Sequence, residues 1–186
     1  MVSIRDLISE RQERLYEEYY AARAGAQKPH RLPAVVRGLV YECGAHSVLD
    51  YGCGDGRLFA SLPFRIGGGA HTLLWVPFYY EYDPAIPGKH VLPEPADLVV
   101  CLDVLEHVES EKLERVVLHI LSLARKALLI TVACKPSGKV LPDGSNQHQT
   151  VQEPQWWHTY LTRFADFTQI EASRGHEYAA LWRPTW

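Results

Sequence analysis

The chain has 186 residues, 47% of them hydrophobic and 22% charged, with a formal net charge of −3. That length suits one sizeable core and crowds two, and the composition is that of a globular protein rather than a disordered, fibrous or membrane-embedded one. With a slight negative charge and basic residues scattered along the sequence, nothing favours general attraction to nucleic acid or to an acidic membrane.

The opening segment MVSIRDLISERQER is charged throughout, without the apolar core of a secretory signal, so the expected address is the cytoplasm. The longest apolar run, Ala127 to Cys134, is too short to span a bilayer. Cys43, Cys53, Cys101 and Cys134 are far apart, with no C-x-x-C pair. Reduced thiols are expected, and neither a zinc site nor any other metal centre is assigned.

Residues 3–23 read as one amphipathic helix capped by Ser3, with Ile4, Leu7, Ile8, Leu15 and Tyr19 near one face. A second helix is expected from Pro33, with Leu32, Val35, Val36, Leu39 and Val40 inward. These helices read as a cover over one side of the sheet, or, in a sharper reading of the first alone, as a lid or acceptor-binding element. Residues 1–43 are accordingly treated as a helical cover, and residues 44–186 as one compact domain.

From residue 46 strands alternate with helices. His46 to Asp50 is a short strand, followed by a glycine turn and a helix near 55–62. Leu73 to Tyr82 reads as a second strand, ended by Asp83-Pro84. Ala96 to Leu102 is apolar throughout, as strands buried on both faces are. A helix over 110–126 with Ser110 as cap leads into another buried strand, Ala127 to Ala133. After a polar loop, a helix over 154–165 starts at Pro154, and strands near 167–173 and 178–183 close the chain. The fold class is therefore α/β: a doubly wound, mostly parallel, Rossmann-like sheet with a C-terminal antiparallel hairpin.

The stretch VLDYGCGDGRL, residues 48–58, carries the chemistry. Its glycines let the backbone turn sharply and approach a ligand, and a following helix offers unpaired N–H groups. The spacing is G-x-G-x-G rather than the G-x-G-x-x-G of dinucleotide sites. Asp50, two residues before the first glycine, would repel a pyrophosphate but suits a ligand with an ammonium group. No G-K-[ST] follows, so a P-loop is excluded.

The sequence resembles class I S-adenosylmethionine-dependent methyltransferases, over roughly residues 44–184. VLDYGCGDGRL looks like the family's first motif, and PADLVVCLDVLEHV (95–108) like the motif around its fourth strand. The resemblance implies S-adenosylmethionine as cofactor, S-adenosylhomocysteine as product, and Asp50, Tyr51, Gly52, Cys53, Gly54, Leu102 and Asp103 around the cofactor. It also implies an acid at the end of the second strand for the ribose hydroxyls. Asp83 is the candidate and Glu81 the reserve, because no Asp or Glu occurs between Asp55 and Glu81. Residues 63–72 read as an inserted loop. Only thirteen residues, 84–96, stand where the family fits a helix and a third strand. They are rich in proline, so an abbreviated edge is expected, with Lys89 to Leu92 as a short extended piece.

Methyl transfer is an in-line displacement in which alignment of donor and acceptor does most of the work. An oxygen or nitrogen acceptor that starts protonated also needs a base. Asp103 and His107 sit beyond the fourth family strand, where such sheets bind ligands. His107 reads either as a base or as a satisfied histidine orienting the helix start. Asn146 and His148, in the polar loop 141–157, are the other candidates, or else a turn residue and a surface imidazole. This loop resembles a sub-group of small bacterial and phage methyltransferases. Trp156 and Trp157 read as packing residues. The sequence lacks [DN]-P-P-[FYW], a Pro-Cys nucleophile and a target-recognition domain, which leaves a small molecule or a modified group as acceptor. The alternatives are a non-catalytic partner subunit of the same fold, a NAD-type oxidoreductase, and another user of S-adenosylmethionine such as an aminopropyl transferase.

Overall fold

A computed structural model describes residues 2–22, 33–56, 58, 78–171 and 177–184. Its centre is a six-stranded sheet in the order β2-β1-β3-β4-β6-β5. β1 (Ser47–Tyr51), β2 (Phe78–Tyr82), β3 (Ala96–Leu102) and β4 (Ala124–Ala133) run parallel, whereas β5 (Thr168–Gln169) and β6 (Glu177–Trp182) add the antiparallel hairpin. Every residue of β1 is buried, as are six of the seven in β3.

Alternation along these strands builds two cores. Leu49, Val99, Cys101, Leu128 and Ile130 face α4 (Leu113–Leu123) and α5 (Pro154–Leu161). Val48, Leu98, Val100 and Leu129 face the other way, onto Val36, Leu39 and Val40 of α3 (Pro33–Glu42). Helices on both faces explain why the central strands carry almost no polar residues. Of the residues expected inward on α3, Val35 is instead exposed. Leu32 lies outside the described residues, as do most of the helix expected near 55–62, the loop 63–72 and residues 73–77 of the second strand.

The N-terminal stretch is two helices rather than one: α1 (Ile4–Leu7) and α2 (Glu10–Ala21). The break falls at Ile8, extended at φ −148° and ψ 141°, and Ser9 caps α2 by accepting the Gln12 N–H at 3.1 Å. Ser9 is held there by Glu109, which accepts from its N–H at 3.0 Å and its hydroxyl at 2.6 Å. The tie is tertiary, so helical periodicity alone missed it. α4 is likewise shorter than expected, beginning at Leu113, and Ser110 bonds to Thr150 Oγ1 at 3.1 Å rather than capping it.

β2 is an edge strand of the sheet, with no strand beyond it among the described residues. Residues 83–89 instead form a turn closed by Asp83 N–H donating to the Lys89 carbonyl at 3.1 Å. Lys89 to Leu92, expected to be a short extended piece, joins no ladder. Four prolines within 84–95 remove donors that a strand or helix would need. No helix among the described residues is long and apolar enough to cross a membrane.

Candidate active site

The sheet order reverses between β1 and β3, and ligands bind such folds at the carboxyl ends of the strands flanking that point. A cavity opens there. Its floor comes from the strand ends (Gly52, Asp83, Asp103, Val104, His107) and its roof from Leu7, Ile8, Gln12, Tyr16 and Tyr20. Residues of α1 and α2 therefore form a wall of this cavity, whereas α3 covers a face of the sheet.

Two backbone bonds shape the glycine turn after β1: Gly52 N–H and Cys53 N–H both donate to the Tyr82 carbonyl, at 2.7 and 3.1 Å. Gly52 has φ +76°, and a Cβ on it would lie 2.5 Å from Val104 Cγ2. Glycine is required there both by conformation and by the approach of the β3 loop. Asp50 is buried, and burial together with the nearby Glu81 raises its carboxyl to about 7, against the opposing pull of Lys89. Tyr51 turns away from the turn, packing on Tyr82 with ring centroids 4.9 Å apart and bonding His119 Nδ1 at 3.0 Å. Leu102 is buried in the α3-side core, and burial pushes the half-buried Cys53 thiol up.

The two acids at the end of β2 differ in their surroundings. Asp83 is buried with both oxygens occupied: Oδ2 accepts the Gly54 N–H at 3.0 Å and Oδ1 the Ala85 N–H at 2.9 Å. Glu81, two residues earlier, is partly open and pairs with Lys89 Nζ at 2.8 Å. Lys89 Nζ also donates to the Gly54 carbonyl at 3.2 Å, so this ion pair lies over the glycine turn.

Beyond β3 the chain turns at Asp103, whose φ of 56° is in the left-handed region. Asp tolerates that region better than most residues. Its N–H donates to the Thr131 carbonyl at 3.0 Å, and Thr131 Oγ1 donates back to Oδ1 at 3.0 Å. The one-turn helix Leu105–His107 follows. His107 Nδ1 lies 2.9 Å from the Tyr16 hydroxyl and 3.0 Å from the Gln147 carbonyl. Burial, with His148 nearby, lowers its imidazole to about 4.

His148 is not remote from His107. The rings meet edge-to-face with centroids 4.8 Å apart. Asn146 braces the loop, accepting from Ser137 N–H at 3.0 Å and His148 N–H at 2.9 Å. His148 Nδ1 approaches the Lys135 carbonyl at 2.6 Å, and burial depresses its basicity. Sequence reasoning missed Tyr16, Glu106 and Lys89 here. For Glu106 a signal existed, an acid directly before His107, but its apolar neighbours hid it.

The comparisons agree with this architecture. A 1,6-didemethyltoxoflavin-N1-methyltransferase from Burkholderia thailandensis, solved with 1,6-didemethyltoxoflavin and S-adenosylhomocysteine, is 17% identical at a TM-score of 0.63, over 100% of this chain and 92% of that one. The DhpI–S-adenosylhomocysteine complex is 16% identical at 0.62, over 95% and 98%. The N-methyltransferase NodS from Bradyrhizobium japonicum WM9, with S-adenosylhomocysteine, is 14% identical at 0.57, over 90% and 97%. No curated protein sequence matches the chain. A family model described as a methyltransferase domain matches residues 8–182, from the break between α1 and α2 to the end of β6, and the chain belongs to that methyltransferase family.

Proposed function

We propose that the protein transfers the methyl group of S-adenosylmethionine to an oxygen or nitrogen of a small molecule, or of a modified group on a larger one, and releases S-adenosylhomocysteine. The observation that carries this reading is one cavity floored by the glycine turn and Asp103 and roofed by α1 and α2. It offers the end of the glycine turn on one side and the side chains of Leu7, Ile8, Tyr16 and Tyr20 on the other. Asp50, Gly52 and Gly54 hold the methionine end, with Asp103 beside it. His107 and His148 stand on the acceptor side. Calorimetry tests the cofactor: S-adenosylhomocysteine is expected to bind with micromolar affinity, about −8 kcal/mol. Binding of NAD in its place would sink the reading.

Glu81 is assigned to the ribose hydroxyls, because it is partly open, whereas Asp83 is buried with each oxygen accepting a backbone N–H. Charge-assisted bonds of this kind are worth roughly 1.5–3 kcal/mol. Glu81→Ala should therefore weaken S-adenosylhomocysteine binding about tenfold or more with little loss of stability. Asp83→Ala should instead lower the melting temperature, since it strips acceptors from two buried N–H groups. Equal loss of affinity with no change in melting for Asp83→Ala would return the ribose role to Asp83.

Asp50 makes cofactor binding depend on pH. Its carboxyl titrates at about 7 in the free protein, with Glu81 and Asp83 raising it and Lys89 lowering it. An ammonium ligand needs the carboxylate form, so binding expels a proton below that pH. Affinity should rise by up to about tenfold per pH unit from 5 to 7, then level off where a free α-amino group starts to lose its own proton, near 7.7–8.0. Stability of the ligand-free protein runs the other way. A carboxyl raised above its unfolded value contributes most below pH ~4 and loses that contribution as pH climbs toward 7. Affinity that is flat from pH 5 to 7 would remove Asp50 from the ammonium site.

A further inference from the structure

Glu106, His107 and His148 each bring a ligand-type atom within 4.8 Å of the other two. Glu106 and His107 are neighbours on the one-turn helix after β3, and His148 arrives from the loop after β4. The cluster lies at the carboxyl edge of the sheet, and His107 is shared with the wall of the cavity.

Both imidazoles are aimed through their Nδ1 atoms. His148 Nδ1 faces the Lys135 carbonyl at 2.6 Å, so that nitrogen carries the proton and Nε2 keeps the lone pair. The single proton of the Tyr16 hydroxyl goes to the Gln147 carbonyl at 2.7 Å. His107 Nδ1 faces that same carbonyl at 3.0 Å and the Tyr16 oxygen at 2.9 Å, both acceptors toward it. It must therefore be the donor, and Nε2 again holds the lone pair. Histidines whose Nδ1–H is pinned to a backbone carbonyl while Nε2 stays open have the arrangement of metal-bound histidines.

Glu106 supplies the independent observation. It is 0% exposed. Oε1 accepts the Ala133 N–H at 2.9 Å, while Oε2, also buried, has no partner among the described residues. A buried acceptor left unpaired is costly, and a carboxylate oxygen more so, unless a proton or a cation meets it. Apolar replacement would have been the simpler solution for a purely structural position.

We infer that Glu106, His107 and His148 bind a divalent transition-metal ion. Two imidazole nitrogens and one carboxylate oxygen suit manganese, iron, cobalt, nickel or zinc better than magnesium or calcium, which prefer all-oxygen shells. Three protein ligands leave coordination positions open for water or for a heteroatom of an acceptor in the adjoining cavity. Cysteine spacing excluded a thiolate centre, and this set is built without thiolates. The inference stands apart from the methyl-transfer reading, since metal uptake can be measured without cofactor or acceptor.

Cobalt(II) is the probe, followed by visible absorption and calorimetry on the purified chain. One Co²⁺ per chain is expected, with a rise in melting temperature by mass action. Outer-sphere partners alone are worth ~10–100-fold in metal affinity, so loss of a ligand should cost about 100-fold or more. His148→Ala and Glu106→Gln should each do this, whereas His90→Ala, at an exposed histidine away from the cluster, should bind Co²⁺ as the wild type does. If Glu106→Gln fails to fold, His148→Ala decides, because its ring is only partly buried and its loop is braced by Asn146. Absence of stoichiometric Co²⁺, Mn²⁺ and Zn²⁺ uptake by the wild type, or uptake unchanged in His148→Ala, overturns the site. S-adenosylhomocysteine calorimetry on the same samples reports separately on the methyltransferase reading.

Discussion

His148→Ala is expected to lower turnover by ~10²-fold or more while leaving S-adenosylhomocysteine affinity where it was. The ring stands edge-to-face on His107, 4.8 Å between centroids, and His107 lines the cavity. Its removal is therefore expected to act on the proposed acceptor side, not on the glycine turn proposed to hold the cofactor. The fold should survive: Asn146 still ties the loop to Ser137 through bonds of 3.0 and 2.9 Å that do not involve the imidazole. His107→Ala makes the contrast. It removes the ring nitrogen that meets the buried Tyr16 hydroxyl and the Gln147 carbonyl, which keep only each other, at roughly 0.5–1.5 kcal/mol, so melting temperature should fall along with activity. The assay measures S-adenosylhomocysteine release over a panel of small metabolites, sugars and nucleotides, with cofactor affinity followed by calorimetry. Loss of cofactor affinity in His148→Ala, in step with turnover, would move His148 off the acceptor side.

Trp157→Ala should destabilise the protein by about 3–5 kcal/mol. Trp157 is 0% exposed, in the core formed with Leu161, Phe167 and Tyr178 between α5 and the hairpin. An alanine there leaves a cavity that the flanking strands β4 and β6 cannot close, since their ladder fixes their spacing. For a chain of this size the melting temperature should drop by roughly 6–20 °C. Trp156 gives the comparison. It is 37% exposed and stacks on Tyr160 with planes 8° apart, so its alanine variant should cost far less. Trp157→Phe should fall between the two, because it also removes an indole N–H that has no partner among the described residues. Equal melting temperatures for the two alanine variants would show that the packing of α5 has been misread.

The parts legible in the sequence are those whose physics is local. Strands β1, β3 and β4 are buried on both faces, so each appears as a short apolar run bounded by turn residues. The glycine turn is written in the positions of Gly52 and Gly54, and the missing third strand in a segment too short and too rich in proline to hold one. The terminal hairpin followed from two short strands at the end of the chain. What needed tertiary structure was every relation between distant segments. Glu109, a hundred residues from Ser9, breaks the first helix in two and turns it over the cavity. Whether Asp83 or Glu81 is open to a ligand depends on the Gly54 N–H, twenty-nine residues from Asp83 in the chain. His107 and His148 read as rival sites because forty residues separate them, yet two strand-end loops bring their rings together over the buried Glu106. Alternation and turn chemistry determine where strands start and stop. Which side chains meet at the strand ends is decided by the packing of loops that carry no periodic signal.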